Sequence, residues 1–212
     1  ALMSVYENIP KPGEPYDRRS DHHTRHEYDI VNFYIGTTRG NAMWDLTWVY
    51  AQQPFIPRGP NGSFDKDMIF PASQIVTHND RHWIYYNGFG ERHGIADRGP
   101  HGIGLATLKL DRFISLSAKG AEAGIILTKP FKLEGSRLQI NAKGDNIYLE
   151  VIDENGRPIH VSMSEKIDAL RWEPIWQNGN DLSLSKGKII QLRFRLENAK
   201  LYAFQVISKS SL

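Results

Sequence analysis

Two aspartates stand two residues apart in the segment Gly62-Ser63-Phe64-Asp65-Lys66-Asp67-Met68-Ile69. A third carboxylate, Glu91, follows in a glycine-rich stretch that also carries His93, Asp97 and His101. Paired carboxyl groups suit hydrolysis of a glycosidic bond: one protonates the leaving oxygen, and the other attacks or activates water from about 5–9.5 Å away, depending on mechanism. Asp65 and Asp67 share a face if the segment is a strand, and either can turn inward if it is a loop. Asp65, Asp67 and Glu91 are therefore the candidate catalytic residues. The competing reading makes Asp65 a cap on its own turn and leaves the glycine-rich loop as a solvated segment. Trp83 and Tyr85 offer flat aromatic surface for a sugar ring, and His93, His101 and Arg58 offer hydrogen bonds to its hydroxyls. Each also has an ordinary counterpart: a packed aromatic or a hydrogen-bonded surface side chain.

His22, His23 and His26, beside Asp21 and Glu27, have the ligand types of a transition-metal site. No helix is expected there to align His22 with His26, so a polar loop is the preferred reading and no metal is assigned. In that loop Asp21, His22 and Arg25 are alternative sugar contacts. Trp172 and Trp176 make a sugar platform if exposed and core if buried. No phosphate loop, dinucleotide fingerprint or nucleophile elbow is present, and no cofactor is implied.

The elements that must position these residues read as strands. Tyr28–Gly36 and Asp45–Tyr50 are two of them, and the proline-rich 53–60 is a connector. Phe70–Val76, a polar turn over 77–82, the aromatic Trp83–Gly88 and then Ile103–Leu108 follow the grammar of one β-propeller blade, about 40–50 residues long. Carboxylates at the start of an innermost blade strand point to a central funnel. After Leu127 the texture changes. Arg137–Ala142, Ile147–Val151 and Ile190–Glu197 alternate apolar with polar residues, the mark of half-buried antiparallel strands, and Leu201–Val206 supplies a last strand. Short strands separated by turns such as Asn155-Gly156 predict a β-sandwich. Residues 1–28 read as irregular. Helix is confined to a short turn near Gly120–Gly124 and one turn over Ser164–Leu170. The expected fold is all-β: about one and a half propeller-like blades over residues 1–120, then a sandwich over 121–212.

The 212 residues carry 26 Lys and Arg against 24 Asp and Glu, a net charge of +2, so no nucleic-acid footprint is implied. Cysteine is absent, which removes disulfides, thiolate metal sites and a cysteine nucleophile. No apolar run approaches the about 18 residues of a membrane span, and Ala1-Leu2-Met3-Ser4 lacks a basic stretch followed by an apolar one, so a signal peptide is either absent or removed. Compartment stays unassigned; an extracellular or periplasmic setting suits a polysaccharide partner.

Several segments occur in a telling order: Pro54-Phe55-Ile56-Pro57-Arg58-Gly59, Gly62-Ser63-Phe64-Asp65, Trp83-Ile84-Tyr85-Tyr86, Ile103-Gly104-Leu105-Ala106, Thr128-Lys129-Pro130-Phe131, Gly135-Ser136-Arg137-Leu138 and the closing Leu192 to Gln205. Together they resemble the C-terminal part of bacterial proteins related to glycoside hydrolase families 32 and 43, over most of residues 28–206. The resemblance implies a five-bladed propeller with a C-terminal β-sandwich, and a carbohydrate-active protein that hydrolyses glycosidic bonds. The Trp-Met-Asn-Asp-Pro-type, Arg-Asp-Pro and Glu-Cys segments of family 32 are absent. That opens the alternative of a non-catalytic carbohydrate-binding or accessory module. The chain is expected to be the tail of a longer enzyme or a short relative, with homo-oligomers forming through open sheet edges.

Overall fold

The computed structural model describes residues 1–8, 29–40, 43–93, 99–118, 122–179 and 181–208. The protein is all-β and divides into two units, Ala1–Leu108 and Lys109–Leu212. Among the described residues its sheets are open, and none closes on itself.

In the first unit, β1 (Leu2–Asn8) runs antiparallel to β2 (Asp29–Ile35), from Leu2↔Ile35 to Asn8↔Asp29. Residues 2–8 are thus a strand where the sequence suggested irregular chain; residues 9–28, including His22, His23 and His26, lie outside the described residues. Every residue of β2 is buried, and β5 (Met68–Pro71) lies parallel to it on the edge opposite β1. The run Ile30-Val31, then Phe33-Tyr34-Ile35, is nearly continuous in apolar character, as a strand covered on both faces requires.

β7 (Arg81–Phe89) pairs with β5 through Met68↔Phe89 to Pro71↔Tyr86, and with β6 (Val76–His78) through Val76↔Trp83 to His78↔Arg81. β5 and β6 are therefore two stretches along one flank of β7, and β8 (His101–Lys109) pairs with β7 as well. Asn79 and Asp80, with φ of 49° and 56°, close the β6–β7 hairpin. Two consecutive left-handed residues give the turn twist that matches paired strands, and Asn and Asp tolerate that region best after glycine.

Between β2 and β5 lie a two-stranded ribbon, β3 (Thr37–Thr38) with β4 (Trp44–Asp45), and the one-turn helix α1 (Thr47–Tyr50). The strand expected over 45–50 is therefore helical. The Asp45 carboxylate accepts the Thr47 amide at 3.0 Å and the Thr47 hydroxyl as well, a local turn that competes with ladder pairing.

The second unit is organised by two long strands, β12 (Arg137–Ile152) and β15 (Ile189–Ile207), paired from Arg137↔Ile207 to Ile152↔Gln191. The sequence divided each into two pieces; both run through. Phe194 and Phe204 would stand about 33 Å apart on a straight strand, yet their ring centroids are 5.9 Å apart. β15 therefore folds over on itself. Asn198 takes a left-handed φ of 45° at the fold. There Gly144 faces Ala199, and a Cβ on Gly144 would lie 2.2 Å from the Ala199 Cβ.

The fold-over gives each half of the hairpin its own neighbours. The first half of β15 pairs with β10 (Gly124–Leu127) and β11 (Phe131–Lys132), the second with β9 (Leu116–Ala118). β12 pairs first with β14 (Glu165–Trp172) and then with β13 (Pro158–Val161). Leu138, Ile140, Ile147, Leu149, Leu192 and Phe194 share one core with Trp172, and the half-buried Trp176 packs against it, so Trp172 is core and the two do not form an exposed pair. β14 occupies the segment expected to hold a helical turn. Its ladder with β12 satisfies the backbone that a single turn would leave half unpaired. The expected turn near Gly120 falls partly on residues 119–121, outside the described set, and Gly124 begins β10.

Candidate functional site

The Asp65–Asp67 turn is wedged into the sheet by its backbone. The Asp67 amide donates to the Phe89 carbonyl at 3.0 Å, and the Asp67 carbonyl accepts the Val31 amide at 3.0 Å. This explains why the turn continues into β5 between β2 and β7. Both side chains are buried, Asp65 at 8% and Asp67 at 6% exposure.

Asp65 occupies a niche emptied by glycines. Its Oδ2 accepts the Tyr86 hydroxyl at 2.9 Å, and its carbonyl accepts the Gly59 amide at 3.1 Å. A Cβ on Gly59 would lie 2.1 Å from Asp65 Oδ1, and one on Gly88 would lie 2.5 Å from Asp65 Cβ. The Tyr86 ring stacks on Phe64 with centroids 6.3 Å apart. Burial first, and then the hydrogen bond to the Asp65 carboxylate, push the Tyr86 phenol up to about 12.

Asp67 is held by cations. Lys66 Nζ pairs with its Oδ2, and Arg58 Nη1 lies 3.8 Å from its Oδ1. Arg58 also donates from Nε to Asn32 Oδ1 at 2.9 Å and from Nη1 to the Lys66 carbonyl. One guanidinium thus ties the connector after Pro57 to β2 and to the acidic turn. The structure brings Arg58 and Asp67 together, and gives Asp65 a separate partner in Tyr86. Neither Tyr86, which the sequence offers only as aromatic surface opposite Trp83 and Tyr85, nor Asn32 is a site candidate from sequence. The one available signal was that Tyr86 alternates away from Trp83 and Tyr85 and so faces inward.

The other candidates lie further along the chain. Glu91 is half-buried, and its Oε2 is enclosed without a hydrogen-bond partner among the described residues, beside Gly99, where a Cβ would approach it to 2.9 Å. The neighbouring Gly90 amide donates to the Pro100 carbonyl at 2.7 Å. The His93 amide donates to the Asp29 carbonyl at 3.1 Å, and its ring meets Tyr6 edge-on at 5.2 Å. His101 stacks on Phe89 at 6.4 Å. Asp97 falls outside the described residues, and among the described residues no cluster of three metal-ligand side chains occurs.

Trp83 and Tyr85 belong to a different surface. Along β7, His82, Ile84 and Gly88 are buried, with Tyr86 on their side, while Arg81, Tyr85 and Asn87 are exposed and Trp83 is half-exposed. Strand alternation puts Arg81, Trp83, Tyr85 and Asn87 on one outward face. Val76 stands opposite Trp83 across the β6 ladder, and Arg81 Nη1 donates to Thr107 Oγ1 on β8 at 3.5 Å. By the same alternation Ile103 and Leu105 of β8 share the outward side with Thr107; Tyr85 is 43% and Ile103 76% exposed. The Trp83 indole N–H is anchored on the His78 carbonyl at 3.4 Å, which fixes the ring and leaves part of it open.

Compared with protein-family descriptions, with characterised proteins and with solved structures, the chain matches none.

Proposed function

We propose that the chain is a carbohydrate-binding protein that holds a neutral oligo- or polysaccharide on the outward face of β7 without cleaving it. The observation that carries this reading is the placement of Trp83 and Tyr85. They are two residues apart on one strand, about 6.6–6.8 Å along it, with Arg81, Asn87 and Thr107 beside them. Aromatic faces stack on the C–H faces of pyranose rings, and flanking amide, guanidinium and hydroxyl groups bond the sugar's hydroxyls. The resemblance to propeller proteins of glycoside hydrolase families 32 and 43 belongs to the same proposal. The β5–β7–β8 arrangement supports a blade, and the folded-over β12–β15 hairpin supports a sandwich. Open strand edges in such a truncated ring favour self-association, and light scattering showing a clean monomer at high concentration contradicts that part. The binding test is titration with cellohexaose, xylohexaose and maltohexaose beside an assay for released reducing ends. Heat of binding without release supports the reading.

Hydrolysis by Asp65, Asp67 and Glu91 is the second reading, and the enclosed Glu91 Oε2, without a hydrogen-bond partner among the described residues, favours it. Against it, Asp65 and Asp67 are already engaged by Tyr86, Lys66 and Arg58. Sugar release that disappears in Asp65→Asn and Glu91→Gln would establish hydrolysis. Release that persists in both would remove these residues from it.

A further inference from the structure

A cavity of about 650 Å³ in the second unit is lined by five cationic side chains against two carboxylates, Asp145 and Asp168. Asp168 alone serves three of the cations: Arg112 at 2.7 Å, Lys109 at 3.1 Å and Lys143 at 3.3 Å. The Arg112 hydrogen bond, the largest cause, holds the Asp168 carboxyl down at about 2, so it stays ionised and already spent. Asp145 is taken by Lys166 at 3.1 Å and by the Asn198 amide at 2.6 Å. Lys143 stands directly opposite Lys200 in the β12–β15 ladder. Like charges in that relation repel and destabilise a sheet. Among the described residues Lys200 has no ion-pair partner. The cavity therefore carries an excess of positive charge, with Lys200 unpaired among the described residues and facing a Lys143 that shares its one carboxylate with two other cations, a situation an incoming anion relieves.

We propose that this cavity binds the sulfate or carboxylate groups of an acidic polysaccharide, with Lys143 and Lys200 as the anion ligands. That the anion belongs to a glycan rests on the carbohydrate reading; the sign of the charge does not. Lysine ammonium groups are point charges that accept oxyanions in many orientations, which suits a flexible acidic chain. A nucleic acid would look for bare aromatic faces as well as charge. The Tyr202 ring in this cavity is covered by the Arg112 guanidinium, 4.8 Å from its centroid. The net charge of +2 also gives the whole chain little of the basic excess that nucleic-acid binding favours.

The test uses the full chain and calorimetric titration with a sulfated hexasaccharide, a polyuronate hexasaccharide, cellohexaose, inorganic sulfate and a single-stranded oligonucleotide. Titrations run at low and at high salt. The expected result is that one acidic saccharide binds more tightly than cellohexaose and weakens as salt rises, because the contacts are exposed. Whichever of the two binds more tightly identifies sulfate or carboxylate as the group read. Lys143→Gln and Lys200→Gln should each weaken that binding by about fivefold or more, whereas Lys129→Gln should not. Lys200→Gln should also leave the free protein at least as heat-stable as the parent, since it removes a repulsion; this shows that lost binding is not lost folding. Equal affinity for acidic and neutral saccharides, binding of inorganic sulfate alone, or tighter binding of the oligonucleotide overturns the proposal. Cellohexaose binding that needs Trp83 and Tyr85, with no gain from acidic groups, sinks the cavity and spares the β7 platform. Acidic binding through the lysines with no binding of cellohexaose sinks the platform and spares the cavity.

Discussion

Tyr86→Phe is the sharpest perturbation of the acidic turn, because it removes one oxygen and keeps the ring on Phe64. The lost bond is the 2.9 Å hydroxyl–carboxylate contact to Asp65, whose side chain is 8% exposed. Hydrogen bonds to charged groups contribute about 1.5–3 kcal/mol, and a buried carboxylate left short of a donor falls within that range. Tyr86 is itself only half-buried, so about 1.5–2 kcal/mol is the working figure. The two units need not unfold together, so the assay should be local: amide hydrogen exchange, read by mass spectrometry on peptides from β5 and β7. A loss of about 1.5–2 kcal/mol speeds exchange there by about 10- to 30-fold when exchange follows the opening equilibrium. Asp65→Asn should cost less, since its amide oxygen still accepts the phenol. In the Tyr86→Phe background Asp65→Asn should add little. Unchanged exchange in Tyr86→Phe, together with full coupling of Asp65→Asn to sugar release, would refute the view that Asp65 braces the turn.

The remaining expectations concern pH, the core and the fold-over. Tyr86 has a folded-state phenol at about 12 against an ordinary 10.0; its contribution is complete below about pH 10 and is lost as pH rises toward 12, so alkaline titration should loosen β5 and β7 in the parent more than in Tyr86→Phe. Phe194→Ala, at a fully buried site against Phe204, should cost about 3–5 kcal/mol in urea unfolding of the second unit. Gly144→Ala drives a methyl into Ala199 backbone and side-chain atoms and should cost about 1–3 kcal/mol. Asn198→Gly should be tolerated, while Asn198→Val, β-branched at a φ of 45°, should lower the melting temperature.

The strands easiest to read from sequence were those with one strong signal. Ile190–Glu197 alternates because one face meets the core and the other meets water, and β15 follows it. Its continuation through Asn198 was not legible. The apolar face switches parity between Leu196 and Ala199, which reads as a strand end, whereas the structure uses a left-handed residue to keep one strand while changing its direction. Residues 45–50 show the opposite failure. Leu46-Thr47-Trp48-Val49-Tyr50 has strand-forming composition, and a single Asx-type turn from Asp45 overrides it. β1 was invisible because Leu2–Asn8 mixes polar and apolar residues, and its order comes from pairing with the buried β2.

At the candidate site, residue type was legible and partnership was not. Asp65, Asp67 and Arg58 stood out as ionisable groups, but their partners Tyr86 and Asn32 lie 21 and 26 residues away. Only the sheet register brings them near. The lysine cavity has the same origin. Lys143 and Lys200 are 57 positions apart in sequence and become neighbours because the β12–β15 ladder pairs them.

The claim that the outward face of β7 binds sugar is tested most directly by calorimetric titration of the parent and of a Trp83→Ala, Tyr85→Ala double variant with the neutral hexasaccharides. Binding by the parent, loss of at least about tenfold in the variant with unchanged folding, and no released reducing ends are the expected outcome. Equal affinity in parent and variant, or steady release of sugar by the parent, contradicts it.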